Sequence, residues 1–136
     1  MKAVTTYLNF DGNCREAMTF YAKCLGGELT LTPFSEMPGN QPPEAKDRIM
    51  HARVTNGIPV LMASDTMPGM PFHPGAGFSI SIQCESAQEI DTLFAALGEG
   101  GKVTRPLADQ FWGARFGMLT DKFGIHWMLN FDHPKT

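Results

Sequence analysis

The sequence has no apolar run approaching the ~18 residues of a membrane-spanning helix. It also has no excess of basic residues: 11 Lys and Arg stand against 14 Asp and Glu, for a net charge of -3. The first absence argues against a membrane partner. The second argues against nucleic acid, which needs a basic face. Cysteine is scarce, and Cys14, Cys24 and Cys84 show no C-x-x-C spacing. An odd, scattered set points to a reduced compartment and excludes a zinc ribbon. Three small buried hydrophobes is the simpler reading of these thiols, and a nucleophilic Cys14 at a helix start is the sharper one. Residues 1–10 carry one Lys and threonines within their apolar stretch, unlike a signal peptide. A cytoplasmic protein is expected.

What is present is the material of an ordinary domain. The 136 residues are 43% hydrophobic and 18% charged, enough for a single domain over 1–136 with its own core. Residues 3–10 read as a strand ending at Asp11 and Gly12. Asn13 and Glu16 have capping-box spacing, and Ala17, Tyr21, Cys24 and Leu25 recur at helical period until Gly26 and Gly27. A strand over 28–34 leads into a Pro-rich loop over 33–43. Two further strands, 48–55 and 58–64, flank Asn56 and Gly57, a strong hairpin signal.

The pattern then repeats. Phe78, Ile80, Ile82 and Cys84 alternate with Ser79, Ser81 and Gln83. Ser86 and Glu89 form a second capping box, and Ile90, Leu93, Phe94 and Leu97 a second stripe that glycines end. Strands over 102–107, 114–120 and 125–131 follow, the last two joined by a turn at Asp121 to Gly124. A shift of 73 carries Asn13 to Ser86, Glu16 to Glu89, Tyr21 to Phe94 and Gly27 to Gly100. Later in each half, Gly57 matches Gly124 and Asp65 matches Asp132. The reading is an α+β chain of two βαβββ modules, 1–65 and 77–136, joined by a Pro-rich linker over 66–76.

Each helix should cover one face of its own sheet, and the other faces can curl into a curved mixed sheet with an open cleft. Val4, Leu8 and Phe10 then pack under the first helix, and Phe78, Ile80 and Ile82 under the second. Thr5, Tyr7, Asn9, Ser79, Ser81 and Gln83 face the cleft. A polar inner face is costly in a dry core and reasonable in a pocket. Phe111, Trp112 and Phe116 cluster with Met118, as core or as an aromatic pocket wall. Trp127 should lie on the helix side. Met37, Met67 and Met70 sit in loops, as an adaptable lid or as cover for the core's edge. Arg48 and Arg115 are the charged residues expected to border the cleft, where they would meet a ligand anion or form surface ion pairs. Asp65 and Asp132 read better as solvated strand-end carboxylates than as an acid–base pair.

This arrangement, with a helix running into Phe20-Tyr21 and a Gly-rich end, resembles the vicinal oxygen chelate superfamily of glyoxalase I, the bleomycin- and fosfomycin-resistance proteins and the extradiol dioxygenases. The stretches Tyr7-Leu8-Asn9-Phe10-Asp11-Gly12-Asn13-Cys14, Leu25-Gly26-Gly27-Glu28, Met62-Ala63-Ser64-Asp65, Trp112-Gly113-Ala114-Arg115-Phe116-Gly117-Met118 and Asp121-Lys122-Phe123-Gly124-Ile125-His126-Trp127 are similar to its PhnB-like branch. Enzymes of the superfamily hold one divalent metal with His and Glu on four strands. The resemblance puts those four positions at Thr5, at Leu61 or Met62, at Ser79 and at Met128. None is a His, Asp or Glu, so no metal and no cofactor are expected.

Of His51, His73, His126 and His133, only His126, two residues before Met128, is expected to reach the cleft. A hydrogen-bonded histidine is its simpler reading, because a metal cluster needs at least three donors. The branch also carries a demethylubiquinone methyltransferase label. The doubly wound methyltransferase fold needs a Gly-rich loop after a parallel strand, whereas the glycines from Gly98 to Gly101 end a helix.

The expected function is metal-free binding of a small molecule, of the bleomycin-binding type. The ligand-binding set is Tyr7, Asn9, Ser79, Ser81, Gln83, Trp112, Phe116, Met118 and Met128. The alternative is a lyase, isomerase or dioxygenase acting with an unrecognised metal or none. The superfamily's habit of completing pockets across subunits implies a homodimer.

Overall fold

The computed structural model describes residues 1–39 and 41–135. The chain forms two compact units, Met1–Pro74 and Gly75–Thr136. The first holds β1 (Thr6–Phe10), α1 (Cys14–Leu25), β2 (Glu28–Pro33), β3 (Ile49–Asn56) and β4 (Ile58–Asp65). One short 3-10 turn, Phe34–Glu36, lies within the expected loop over 33–43 and a second, Pro43–Ala45, starts at its last residue; Asn40 is outside the described residues. The second unit holds β5 (Ile80–Gln83), α2 (Ala87–Gly98), β6 (Lys102–Asp109), β7 (Ala114–Thr120) and β8 (His126–Asp132).

The two units share one topology. The sheets run β1-β4-β3-β2 and β5-β8-β7-β6, with the β1–β4 and β5–β8 pairs parallel and the others antiparallel. In each unit the strands before and after the helix are opposite edges of the sheet. The helix must therefore cross one whole face, and it covers that face alone. α1 packs on β2, β3 and β4, and α2 on β6, β7 and β8. The covered faces are dry. Leu8, Phe10, Ala52, Val54, Leu61 and Ala63 are buried with Ala17, Met18 and Tyr21 of α1. Leu119, Trp127 and Leu129 are buried with Ile90, Phe94 and Leu97 of α2. Trp127 lies on the helix side as expected, and its indole N–H donates to Asp121 Oδ2 at 2.8 Å.

Several expectations are corrected. Val4 lies before β1 and is 86% exposed, and Phe78 lies before β5 and is 46% exposed, so neither packs under a helix. Thr5 and Ser79 also precede their strands. Within α1 the buried stripe includes Cys14 and Met18, while Cys24 and Leu25 are only half-buried.

The helices begin differently. At α2, Ser86 Oγ accepts from the Glu89 N–H and Glu89 Oε1 from the Glu85 N–H, the expected capping box. At α1, Asn13 makes no side-chain cap. Asp65, at the end of β4, reaches over instead. Its Oδ1 accepts from the N–H groups of Gly12 and Cys14 at 2.8 and 3.0 Å, and its Oδ2 from Ile49 at 2.8 Å. Asp65 is thus a buried tie between β4, β3 and the helix start, not a solvated strand end. Asp132 is exposed, as expected.

The helix ends also need a one-residue correction to the repeat. Gly26 caps α1 at φ 73°, and its counterpart is Gly100 at φ 74°, because Glu99 adds a residue after α2. Gly27 then corresponds to Gly101. At both, an added Cβ would meet the neighbouring strand's backbone, at Thr55 and at Thr120.

Candidate functional site

The faces that no helix of their own unit covers carry most of the chemistry. On the first sheet, Tyr7 and Asn9 alternate with buried Leu8 and Phe10 and sit opposite Met62 and Ser64 of β4. Tyr7 is 44% exposed, and its ring lies 6.0 Å from that of His51 at 38°. His51 therefore reaches this face, contrary to the expectation that only His126 would reach such a site. The pairing of Thr32 with His51 but Pro33 with Ile49 marks a bulge in β3. It lets Ile49 and Ala52 both point under the helix and re-aims His51 outward.

On the second sheet the expected residues fall into two registered rows. Ser81 pairs with Met128, which pairs with Met118, which pairs with Arg105. Gln83 pairs with Asn130, which pairs with Phe116, which pairs with Ala108. The tight turn 110–113 presents Trp112 beside them. The Gln110 N–H donates to Ala114 O at 2.7 Å and the Gly113 N–H to Gln110 O at 3.1 Å, with Gly113 at φ 88°. Trp112 is 48% exposed and meets Phe116 edge-on at 5.9 Å and Phe111 at 5.1 Å.

The Arg105 guanidinium lies 5.3 Å from the Phe116 ring and 5.9 Å from Trp112, and its Nη2 donates to Gln110 Oε1 at 2.8 Å. The far end of the rows is polar. Asn130 Nδ2 donates to Gln83 Oε1 and Asp132 Oδ1, both at 3.0 Å, and Gln83 Nε2 to Asp132 Oδ2 at 3.2 Å. An aromatic and thioether wall thus runs into an amide–carboxylate cluster. Such a surface stacks a flat ring and orients its polar edge.

Sequence reasoning missed Arg105 and Asn130. Asn130 was legible, two residues after Met128. Arg105 was not, because the pairing slips between Val103, opposite Leu119, and Arg105, opposite Met118, beside Pro106. Simple alternation puts both on one face. The arginines expected to border the site are held elsewhere. Arg115 Nε donates to Asp91 Oδ1 of α2 at 2.8 Å, on the helix side. Arg48 Nη1 holds Asp11 Oδ1 at 3.0 Å and the Thr66 carbonyl at 2.9 Å.

His126 shares the Met128 face, where its Nδ1 lies 2.9 Å from Thr120 Oγ1. His133, the residue after β8, is held at both its ring and its backbone. Its Nε2 lies 2.7 Å from Asp109 Oδ1, and its N–H donates to Gly113 O. The nucleophilic reading of Cys14 fails. The side chain is fully buried, and burial, reinforced by Asp65, pushes its thiol up to about 12. Burial and Glu89 push Cys84 up to about 11.

The superfamily's metal positions do not fit a divalent ion. Leu61 is buried beneath α1 and Met62 lies on the open face, so the second position falls to a thioether. Thr5 and Ser79 offer neutral hydroxyls and Met128 a second thioether, none a donor that holds a hard cation. Among the described residues no three His, Cys, Asp or Glu side chains group as a metal site.

The repeated βαβββ architecture is that of the glyoxalase/bleomycin resistance/dioxygenase superfamily. A superfamily protein from Burkholderia phytofirmans shares the fold at TM-score 0.64 and 12% identity, over 94% of this chain and 98% of that one. Within that class, residues 2–130 match the PhnB-like family described as 3-demethylubiquinone-9 3-methyltransferase, and the chain belongs to that family. Among similar structures, protein PA1353 from Pseudomonas aeruginosa is 46% identical at TM-score 0.89, with 98% of this chain and 100% of that one covered. A PhnB protein from Bacillus cereus, described as a putative 3-demethylubiquinone-9 3-methyltransferase, is 31% identical at TM-score 0.78, covering 96% and 99%. Protein YjdN of Escherichia coli is 33% identical, over 93% of each chain.

Proposed function

We propose that the chain binds a small aromatic or amphipathic molecule, without a metal or cofactor, on its helix-free faces. The observation that carries this reading is the half-exposed Trp112, set edge-on to Phe116 and backed by Met118 and Met128 in registered rows. Ser79, Ser81 and Gln83 would supply polar contacts in the second unit, and Tyr7 and Asn9 in the first.

Methyl transfer, which the family's description names, is the less favoured reading. The turn after β1 is where a doubly wound fold holds a nucleotide-like methyl donor. Here its Gly12 N–H and the Cys14 N–H at the helix start are committed to Asp65. In the second unit the Glu85 and Glu89 N–H groups serve the Ser86–Glu89 box.

The test is titration with N-phenyl-1-naphthylamine, a neutral amphipathic aromatic whose fluorescence rises in apolar surroundings. Saturable binding is expected, weakened about tenfold, or 1.4 kcal/mol, by Trp112→Ala. Binding that ignores Trp112→Ala would contradict the reading, as would methyl transfer from S-adenosylmethionine to a catechol.

We take the protein to act in the cytoplasm as a homodimer. No disulfide joins its cysteines, and no helix among the described residues is long and apolar enough to cross a membrane. The dimer rests on the habit of the fold class and on the prevalence of two-fold oligomers. Sedimentation showing a monomer at micromolar concentration would remove it.

A further inference from the structure

Both helix-free faces carry an arginine, but Arg105 of the second donates to Gln110, whereas Arg53 of the first has no such acceptor among the described residues. One row crosses all four strands, from Tyr7 through Met62 and Arg53 to Thr30. Arg53 thus projects from the internal strand β3, exposed, between a thioether and a hydroxyl. His51 stands two residues along on the same face, its ring near that of Tyr7. Arg48, Arg105 and Arg115 are each held by a side-chain acceptor, whereas Arg53 enters no ion pair or hydrogen bond among the described residues. The closest carboxylate along β2 is Glu28, two residues before Thr30, and it forms no ion pair with Arg53. A guanidinium is a planar fork of donors matched to oxyanions. On an internal strand beside stacking rings, it is placed to receive one.

We propose that this face recognises an aromatic compound bearing an oxyanion, a carboxylate or phosphate, with Arg53 as the charge partner and the Tyr7–His51 ring pair as the wall beside it. The proposal rests on the reading that the helix-free faces bind a small molecule, and it adds the ligand's charge. Neither His51 nor Arg53 belongs to the set singled out from sequence.

The experiment compares two probes with the same ring system on the intact chain. N-phenyl-1-naphthylamine is neutral, and 1-anilinonaphthalene-8-sulfonate adds one oxyanion. Arg53→Gln is expected to weaken the sulfonate about tenfold, the equivalent of 1.4 kcal/mol, and to leave the neutral probe unchanged. Arg53→Lys should restore part of the loss, since it keeps the charge without the fork. Equal affinities for the two probes, or an Arg53→Gln variant that binds both as wild type does, would overturn the proposal and leave the binding reading standing. Failure of the sulfonate alone would overturn the proposal, and failure of both probes to bind would remove the reading beneath it. Far-UV circular dichroism of Arg53→Gln, an exposed substitution, checks that the sheet is intact.

Discussion

The two units share a strand order and a helix of the same length, yet they hold the helix start by different means. The second does it locally, with Ser86 and Glu89. The first does it from a distance, with Asp65 across 53 and 51 residues of chain to Gly12 and Cys14. The difference teaches how a repeat diverges. Once Asp65 serves the helix start, Asn13 is released from capping. The register corrects the match that spacing suggests: Leu61, Ala63 and Asp65 take the helix side of β4 as Trp127, Leu129 and Phe131 take that of β8, and Asp132, one residue on, is exposed and joins Gln83 and Asn130 on the open face. Two aspartates that sequence spacing aligns thus lie on opposite faces, one a structural tie and the other part of the candidate binding surface.

Substitution at the two aspartates should show the largest contrast. Asp65→Ala strands three backbone N–H groups, two of them in buried bonds, and is expected to cost about 3–5 kcal/mol. Asp132→Ala is expected to stay within about 0.5 kcal/mol, as exposed changes do. Urea unfolding of both measures it, and equal losses would break the comparison.

Asp121 comes next. Its Oδ1 accepts from Phe123 and Ile125 N–H, and its Oδ2 from the Trp127 indole. Asp121→Ala should cost about 2–4 kcal/mol and shift the emission of buried Trp127. Unchanged emission would mean that the indole bond does not hold.

The caps differ by less. Ser86→Ala should lose about 1 kcal/mol, whereas Asn13→Ala should lose only a few tenths because its side chain caps nothing. An Asn13→Ala loss as large as that of Ser86→Ala would restore the symmetry of the two helices.

The smallest effect is one of pH. Burial raises the Cys14 thiol from 9.0 to about 12. Below pH 9 both folded and unfolded chains keep the proton, and the contribution is level. Between pH 9 and about 12 the unfolded chain binds fewer protons, so stability falls as pH rises. Cys14→Ala should lose less than wild type over that window in urea midpoints, and parallel curves would contradict the assignment.

How much of this was legible in the sequence divides along physical lines. Helix stripes, glycine terminators and alternating strands depend on neighbours within a turn or two, and they place both helices and all eight strands. The cap of α1 was misread because its carboxylate arrives from β4, and no local pattern encodes that reach. The phase of β3 and β6 was hidden for a different reason. Bulges beside Pro33 and Pro106 change which face a side chain takes, and they send His51 and Arg105 to the open faces. The aromatic cluster was legible because Phe111, Trp112 and Phe116 crowd within six positions. Its partner Arg105 was not, since only the register brings it over the rings.

The central claim, that ligand contacts lie on the helix-free faces, is tested most directly by the methionine methyl signals. Met62, Met118 and Met128 lie on those faces, and Met18 is buried in α1. On titration of the intact chain with 1-naphthol, the methyl signals of Met118 and Met128 should move most while that of Met18 stays fixed. Movement confined to Met18, or a spectrum that does not change at saturating naphthol, would contradict the claim.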